Sequence, residues 1–317
     1  MKRINNLYTQ ICEMNNLELA DKVASKGKSK SKGVIRHRAN ATHNLVKLQD
    51  QLLNKTFTTS KYSVFTITDP KERIIHSLPY YPDRIVHHAI MNVLEPHFMK
   101  WFTTDTYSSI KGRGVHLAAS KLRKALHDKS GTKYCLKLDI KKFYQSINTG
   151  ILKNQLQKKI KDANLLWLLD NIIDSANGLP IGNYISQYLA NFFLTGFDHW
   201  IKEEKRIKYY YRYADDIVIL SDCKNHLHNL FKEIHTYLGE LQLTIKSNYQ
   251  IFPVAARGID FLGYVFFHTH SLIRKSIKQR YARMLARSPN TESISAYKSW
   301  LKHCNSKNLQ RKLLKIA

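Results

Sequence analysis

The 317-residue sequence predicts an α+β fold, and three observations carry that expectation. Apolar residues recur at helical spacing near both ends of the chain, as at Leu45, Leu48, Leu52 and Leu53. Between the ends, β-rich runs are joined by short turn signals, which is the pattern of antiparallel hairpins. Gly112-Arg113-Gly114 has no strand leading into it and no acidic partner at the required distance, so a dinucleotide-binding fold is excluded. With 43% hydrophobic residues, the chain can bury one sizeable core or two to three modules.

The elements follow in order. Residues 1–60 read as helices interrupted by "SKGKSKSKGVIRHR" (25–38). That run is too polar to pack and is expected to be either a mobile basic loop that orders on nucleic acid or a solvated linker. "KYSVFTITDPKERIIHSL" (61–78) reads as a hairpin turning at Asp69-Pro70, with Lys71 and Arg73 just past its tip. Ile85, Ala89, Ile90, Val93 and Leu94 mark an amphipathic helix that should stop near Pro96. A helix follows Gly114, then a short strand "CLKLD" ending at Asp139, then a lysine-rich helix. "GLPIGNYISQ" begins with a Gly/Pro turn and leads into one helix whose apolar residues run from Ile185 to Ile201. After "YYYRYADDIVIL" come a helix over about 224–241, a strand "LTIKSNYQIFPV", a hairpin through "GIDFLGYVFF" and a basic, helical last fifty residues.

Lys and Arg number 51 against 24 Asp and Glu, a formal charge of +27. Such an excess implies a polyanionic partner, because each neutralised phosphate releases condensed counterions. No apolar run reaches the length of a membrane span, and the first residues lack a signal peptide's apolar stretch, so a cytoplasmic protein without membrane contact is expected. Cys12, Cys135, Cys223 and Cys304 are far apart and match no zinc or disulfide pattern, and are expected to be reduced core residues. The fifteen histidines include close pairs, but none has Cys or carboxylate at metal-ligand spacing.

Asp215 and Asp216 stand side by side in the most strand-like segment of this basic chain. In a continuous strand they would face opposite ways, so they are placed in the turn of a hairpin with arms "YYYRY" and "IVILS". Adjacent carboxylates repel, and a divalent cation relieves that repulsion; oxygen ligands of this kind suit magnesium. Asp139, at the end of its strand, offers a third carboxylate. Three such ligands can hold two ions about 3.5–4 Å apart, a clamp for in-line phosphoryl displacement. An Asp after a strand is ordinarily a turn or cap residue; three of them in these contexts point to metal chemistry.

Tyr213-Ala214-Asp215-Asp216 resembles the Y-x-D-D hallmark of reverse transcriptases, and Asp139 in "LDIKKFYQSI" resembles their first aspartate motif. "KERIIHSLPYYPDRIVHHAIMNVLEPHF" is similar to the fingers of bacterial members, "YSSIKGRGVHLA" to their second conserved block and "RGIDFLGY" to their primer-grip hairpin. The resemblance implies a right-hand polymerase with an N-terminal helical and basic extension (1–60), fingers (61–130), a palm with an antiparallel sheet (131–267) and a helical thumb (268–317). Most of the family has Q-G-x-x-x-S-P where this chain has Ile181-Gly182-Asn183-Tyr184-Ile185-Ser186-Gln187. I-G-x-x-x-S-Q resembles the enzymes of diversity-generating retroelements, which copy a template-repeat RNA with errors opposite adenines. "LIRKS" and the compact length, without a maturase or endonuclease extension, agree with that group. Gln145 departs from relatives that often carry proline there, and is expected to affect only the helix start.

The resemblance also implies roles for single residues. Asp139, Asp215 and the backbone carbonyl of Ile140 bind two Mg²⁺ ions, for which Mn²⁺ can substitute, and Asp216 helps position the ion near the primer 3′-hydroxyl. Tyr144 is the steric gate against a ribose 2′-hydroxyl, although an aromatic there is also ordinary core material. Lys71 and Arg73 hold the triphosphate, or are simply solvated charges. Lys246 protonates departing pyrophosphate. Ile181, Gly182 and Gln187 contact the incoming nucleotide, and an isoleucine that can only pack weakens discrimination. The implied partners are template RNA, primer and cDNA, deoxynucleoside triphosphates and a small basic accessory protein that is pentameric in the family. A reverse transcriptase of another bacterial class (retron, abortive-infection or intron-encoded) is the alternative, followed by a non-catalytic RNA-binding scaffold.

Overall fold

The computed structural model describes residues 2–69, 72–287 and 290–313. The chain divides into two compact units. The first comprises Met1–Thr103, Lys141–Asp198 and Gly239–Leu243, and the second Thr104–Ile140, His199–Leu238 and Thr244–Ala317. Nine strands are found among the described residues. They are β1 (Ser63–Ile67), β2 (Arg73–Ser77), β3 (Tyr134–Asp139), β4 (Tyr209–Tyr213), β5 (Asp216–Ser221), β6 (Gln250–Pro253), β7 (Ile259–Phe261), β8 (Tyr264–Phe266) and β9 (Ser271–Ile273).

The first unit is mostly helical. Helices Met14–Ala24 and Tyr184–Phe193 pack against Ile85–Trp101. Asp162 ties the N-terminal segment down: its carboxylate accepts the backbone N–H groups of Leu7 (2.8 Å), Tyr8 (2.9 Å) and Leu165 (3.1 Å). The expected stop at Pro96 does not occur, and the helix runs on to Trp101. Pro96 is exposed, while Phe98 and Trp101 beyond it are buried and meet Phe192 at ring separations of 5.7 and 5.4 Å. Burying two aromatic side chains, at about 1.5–3 kcal/mol for a large apolar residue, offsets the roughly 3 kcal/mol that an interior proline costs.

A second correction concerns "SKGKSKSKGVIRHR". Only Ser25–Ser31 forms turns, and Lys32–Arg38 is a helix because Val34 and His37 find a buried face within the polar run. The hairpin over 61–78 forms as β1 and β2, paired antiparallel from Ser63↔Ser77 to Ile67↔Arg73. The helix expected to span 185–201 ends at Phe193, where Leu194 leaves helical geometry (φ −94°, ψ 3°), and resumes as Thr195–His199 and the π-turn Trp200–Glu204.

The second unit is built on a four-stranded antiparallel sheet in the order β4-β5-β3-β6. β5 carries Ile217, Val218, Ile219 and Leu220, all buried, which suits a strand covered on both faces. Helix Val115–Ala125 joins Cys135, Tyr211, Val218 and Phe252 in one core, which continues into the three-stranded sheet β7-β8-β9 through Phe261 and Tyr264. Helices Lys275–Arg287, Thr291–Leu301 and Lys307–Leu313 gather around Tyr281, Leu285 and Leu301. The strand expected through 243–254 is shorter than anticipated. Ile245 makes an isolated bridge to Ile140, and a turn at Ser247-Asn248, residues that favour turns, interrupts the chain before β6.

All four cysteines are free, but only Cys12 and Cys135 are core residues; Cys223 is exposed and Cys304 half-buried. Cys223 sits in the polar lead into helix Lys224–Glu240, outside the apolar stripe of that helix. Among the described residues, no helix is long and apolar enough to cross a membrane.

Candidate active site

The sheet of the second unit brings the acidic residues together through strand register. β3 and β5 pair so that Asp139 stands directly opposite Asp216. Ile140, one residue past the end of β3, donates its N–H to the carbonyl of Asp215 at 3.3 Å. Asp215 occupies the turn with Ala214, whose φ of +55° reverses the chain. The expectation that both aspartates lie in the turn is corrected in part, because Asp216 is the first residue of β5. Ladder pairing to Tyr213 and Asp139 on either side draws it into the strand.

Lys246 reaches this centre through the backbone as well as its side chain. Its N–H donates to the carbonyl of Asp139 (2.9 Å), and its Nζ lies 2.6 Å from Asp139 Oδ1. Lys137 precedes Asp139 by two and so faces the same way. Its Nζ lies 4.0 Å from Asp216 Oδ1 and donates to the carbonyl of Asp260. About a quarter of the Asp216 side chain is exposed, yet Oδ1 is buried without a hydrogen bond. Burial pushes the Asp216 carboxyl up to about 6; Lys137 opposes the shift, and the charges of Asp139 and Asp215 add to it.

The donor set fits a divalent cation. It consists of hard oxygens, one of them buried and lacking a donor, and the Lys246 ammonium already stands against Asp139 where a cation would be welcome. Among the described residues, no three His, Cys, Asp or Glu side chains form a ready-made cage. An open site that completes its shell with substrate phosphates and water is the magnesium pattern. Asp139, Asp215, Asp216 and the Ile140 carbonyl are the groups that would hold it.

Arg212 escaped the sequence reading. It is fully buried within β4; its Nη1 donates to the Ala214 carbonyl (3.1 Å) and its Nη2 lies 3.5 Å from Thr106 Oγ1. Its backbone pairs with Asp105 and Tyr107 at 3.0 Å each. A guanidinium thus props the Asp215 turn from beneath. The available signal was a lone arginine inside an otherwise aromatic strand, three residues before the carboxylate it supports.

The remaining expected residues lie in the first unit, except that Lys71 falls outside the described residues. Arg73 begins β2 and is exposed. Half-buried Tyr144 accepts the Leu179 N–H on its carbonyl at 2.8 Å. Ile181 is half-buried, Gly182 and Gln187 are exposed, and the Ile181 carbonyl accepts the His76 N–H at 2.8 Å. Gly182 has φ +124°, and a Cβ there would stand 2.4 Å from the His76 carbonyl oxygen, so only glycine lets β2 approach this turn. Asn183 Nδ2 donates to Tyr62 Oη (2.9 Å), which also meets Ser175 Oγ (2.7 Å). The β1–β2 hairpin is therefore fastened to the I-G-N turn, an attachment that has no signal in the residue order.

Residues 66–266 match the family described as Reverse transcriptase (RNA-dependent DNA polymerase). The chain belongs to this family. Protein YkfC of Escherichia coli K12 is 25% identical over 253 residues, covering 65% of this chain and 64% of that protein. The retron Ec73 reverse transcriptase of Escherichia coli is 27% identical over 193 residues, covering 55% of this chain and 59% of that enzyme. Among solved structures, apo telomerase from Candida tropicalis superposes with a TM-score of 0.54 at 13% identity, covering 83% of this chain and 57% of that one. The reverse transcriptase member thus has the expected right-hand polymerase fold, and it spans less than two thirds of these relatives' own lengths.

Proposed function

We propose that the chain is an RNA-directed DNA polymerase. The observation that carries this is the β3–β5 register setting Asp139 opposite Asp216, with Asp215 joined to Ile140 beside them. Divalent metal at these oxygens would lower the pKa of a primer 3′-hydroxyl and offset charge on the phosphates. Asp139, Asp215 and Asp216 bind, Arg212 holds the turn, and Lys246 gives a proton to the departing pyrophosphate. In the first unit, Arg73 with Lys71 holds the triphosphate and Tyr144 excludes the 2′-hydroxyl. Mg²⁺-dependent incorporation of deoxynucleotides on an RNA template, abolished in Asp215→Asn, tests the assignment. Removing one ligand costs several kcal/mol, on the order of 10³-fold or more in rate. Equal activity of the variant would refute it.

Within that activity, the reading favoured is the enzyme of a diversity-generating retroelement. It would copy a template-repeat RNA with errors at adenines, beside a small basic accessory protein. Its support is Ile181-Gly182-Asn183-Tyr184-Ile185-Ser186-Gln187. An apolar side chain at 181 packs against a nucleotide without hydrogen-bonding it, and apolar sites discriminate less well than polar ones. Ile181→Gln is expected to lower misincorporation opposite adenine several-fold in sequenced primer-extension products, and unchanged error rates would remove this support. The similarity to the retron enzyme favours the second reading, another bacterial class of reverse transcriptase. Neighbouring DNA decides between them, because a template/variable repeat pair with adenine-specific differences belongs to diversification alone.

A further inference from the structure

In the first unit, strand β1 is paired on one side alone. Among the described residues β1 and β2 form a two-stranded sheet, and no other strand lies beside β1. The outer edge of β2 is engaged where the His76 N–H donates to the Ile181 carbonyl, whereas the outward N–H and C=O groups of β1 have no such neighbour among the described residues. Every residue of β1 is exposed, including Val64 (58%), Phe65 (50%) and Ile67 (36%).

Natural sheets protect an open edge with lysine, proline or a bulge inside the strand, and Ser63–Ile67 contains none of these. Valine, phenylalanine, threonine and isoleucine all favour strands, so the segment is a template for a further one. A two-stranded hairpin is marginal by itself, and added strands stabilise it. The residue order points to which strand is added. Paired antiparallel with a copy of itself about Phe65, β1 sets Phe65 against Phe65 of the second copy, Val64 against Thr66 and Ser63 against Ile67. The same register brings Lys61 of each copy opposite Asp69 of the other, and both are exposed. These are the first charges met on either side of β1, and they are opposite in sign. Such a contact is two-fold symmetric and closes after two copies.

We propose that the open edge of β1 is a dimerisation surface, which joins two copies of this chain through a four-stranded antiparallel sheet in the order β2-β1-β1-β2. A strand-edge contact is smaller than the roughly 1,200 Å² at which stable specific interfaces begin, so the dimer is weak, with a Kd on the order of 10 µM. Each copy carries a formal charge of +27, and salt screens the repulsion between them, so the dimer tightens as salt rises. RNA held along the same edge would do the reverse. The surface lies on residues with no part in the proposed polymerase chemistry.

The test is sedimentation velocity of the full chain over about 1–100 µM, a span that brackets the expected Kd, at low and high salt. Phe65→Lys and Phe65→Glu each set like charges face to face across the two-fold axis and should weaken association about 10-fold or more. An equimolar mixture of the two should regain it, because lysine then meets glutamate, and that recovery shows both variants to be folded. Phe65→Cys in a Cys223→Ser background, which removes the exposed native thiol, should crosslink through a short bismaleimide, since directly paired Cβ atoms lie about 4.5–5.5 Å apart. Leu19→Cys in the same background, exposed elsewhere in the unit, should not. A chain of monomer mass at every concentration, a dimer indifferent to both charge variants, or a mixture that stays monomeric would overturn the surface. Association that weakens as salt rises would also overturn it and assign the edge to RNA. Primer extension at nanomolar protein, where the chain is monomeric, keeps the two readings apart. Extension by a chain that never dimerises sinks the surface alone, and a dimer that extends nothing sinks the polymerase reading alone.

Discussion

Each unit gathers like charges, but by opposite means. In the second unit, hydrogen-bonded strands force Asp139 to face Asp216, and the repulsion is built into the backbone. In the first, Lys28 and Arg84 line one cavity from a turn and a helix start, so their approach depends on how separate segments pack. A ladder fixes its charges to within one register step, because a slip of one residue turns every side chain over. Packing between segments carries no such rule. The carboxylate centre therefore has a geometry dictated by local pairing, whereas the cationic cavity exists only as a product of assembly.

Arg212→Met should separate the two units most widely. Losing the guanidinium beneath the Asp215 turn should reduce primer extension by about 10²-fold or more and cost roughly 3–5 kcal/mol of stability, as expected when a buried charged residue is removed from its partners. Single-stranded RNA affinity per folded molecule, measured by anisotropy, should stay unchanged; a variant with full polymerase activity would show that the turn needs no prop. Tyr144→Ala addresses the first unit. Ribonucleotide incorporation relative to deoxynucleotide should rise about 10- to 100-fold, the range set by small changes in a shape-selective pocket, and an unchanged ratio would return Tyr144 to the core. Pro96→Ala, at an exposed position inside a continuous helix, should stabilise the chain by about 1–3 kcal/mol in urea unfolding with no change in extension.

The smallest effect is also the most diagnostic, because the two units carry titrating groups of opposite sign. Burial, with His88 and Arg84 nearby, holds the His87 pKa down to about 3, below its ordinary 6.5. Its contribution to stability is complete above pH 6.5 and declines as pH falls toward 3. Asp216 is raised from 3.8 to about 6, so in metal-free protein its contribution is complete below 3.8 and is lost as pH rises through 6. Thermal unfolding in a chelator should lose its alkaline-side decline in Asp216→Asn and lose part of its acid-side decline in His87→Leu. Identical pH profiles in both variants would erase the distinction.

Much of the second unit was legible from residue order. The pairing of "YYYRY" with "IVILS" follows from two β-rich runs flanking a polar turn, and the family motif placed Asp139 beside them. Elsewhere packing overrides local preference. Pro96 signals a stop, but Phe98 and Trp101 carry the helix past it. Lys32–Arg38 looks unpackable, but Val34 and His37 suffice to fold it. Arg212 was invisible as a prop because nothing in its neighbours states that a charge will be buried there. The link between His76 and Ile181 spans more than one hundred residues and has no local sign at all.

By itself the sequence determined the α+β class, the hairpins, the polyanion preference and the identity of the acidic residues, since periodicity, turn chemistry and net charge are properties of neighbours along the chain. Only the tertiary structure decided which side chains would be deprived of water and which cations would line one cavity. Burial and like-charge proximity arise from segments far apart in order, and that is why Asp216, Arg212 and the Lys28–Arg84 cavity had to be seen folded.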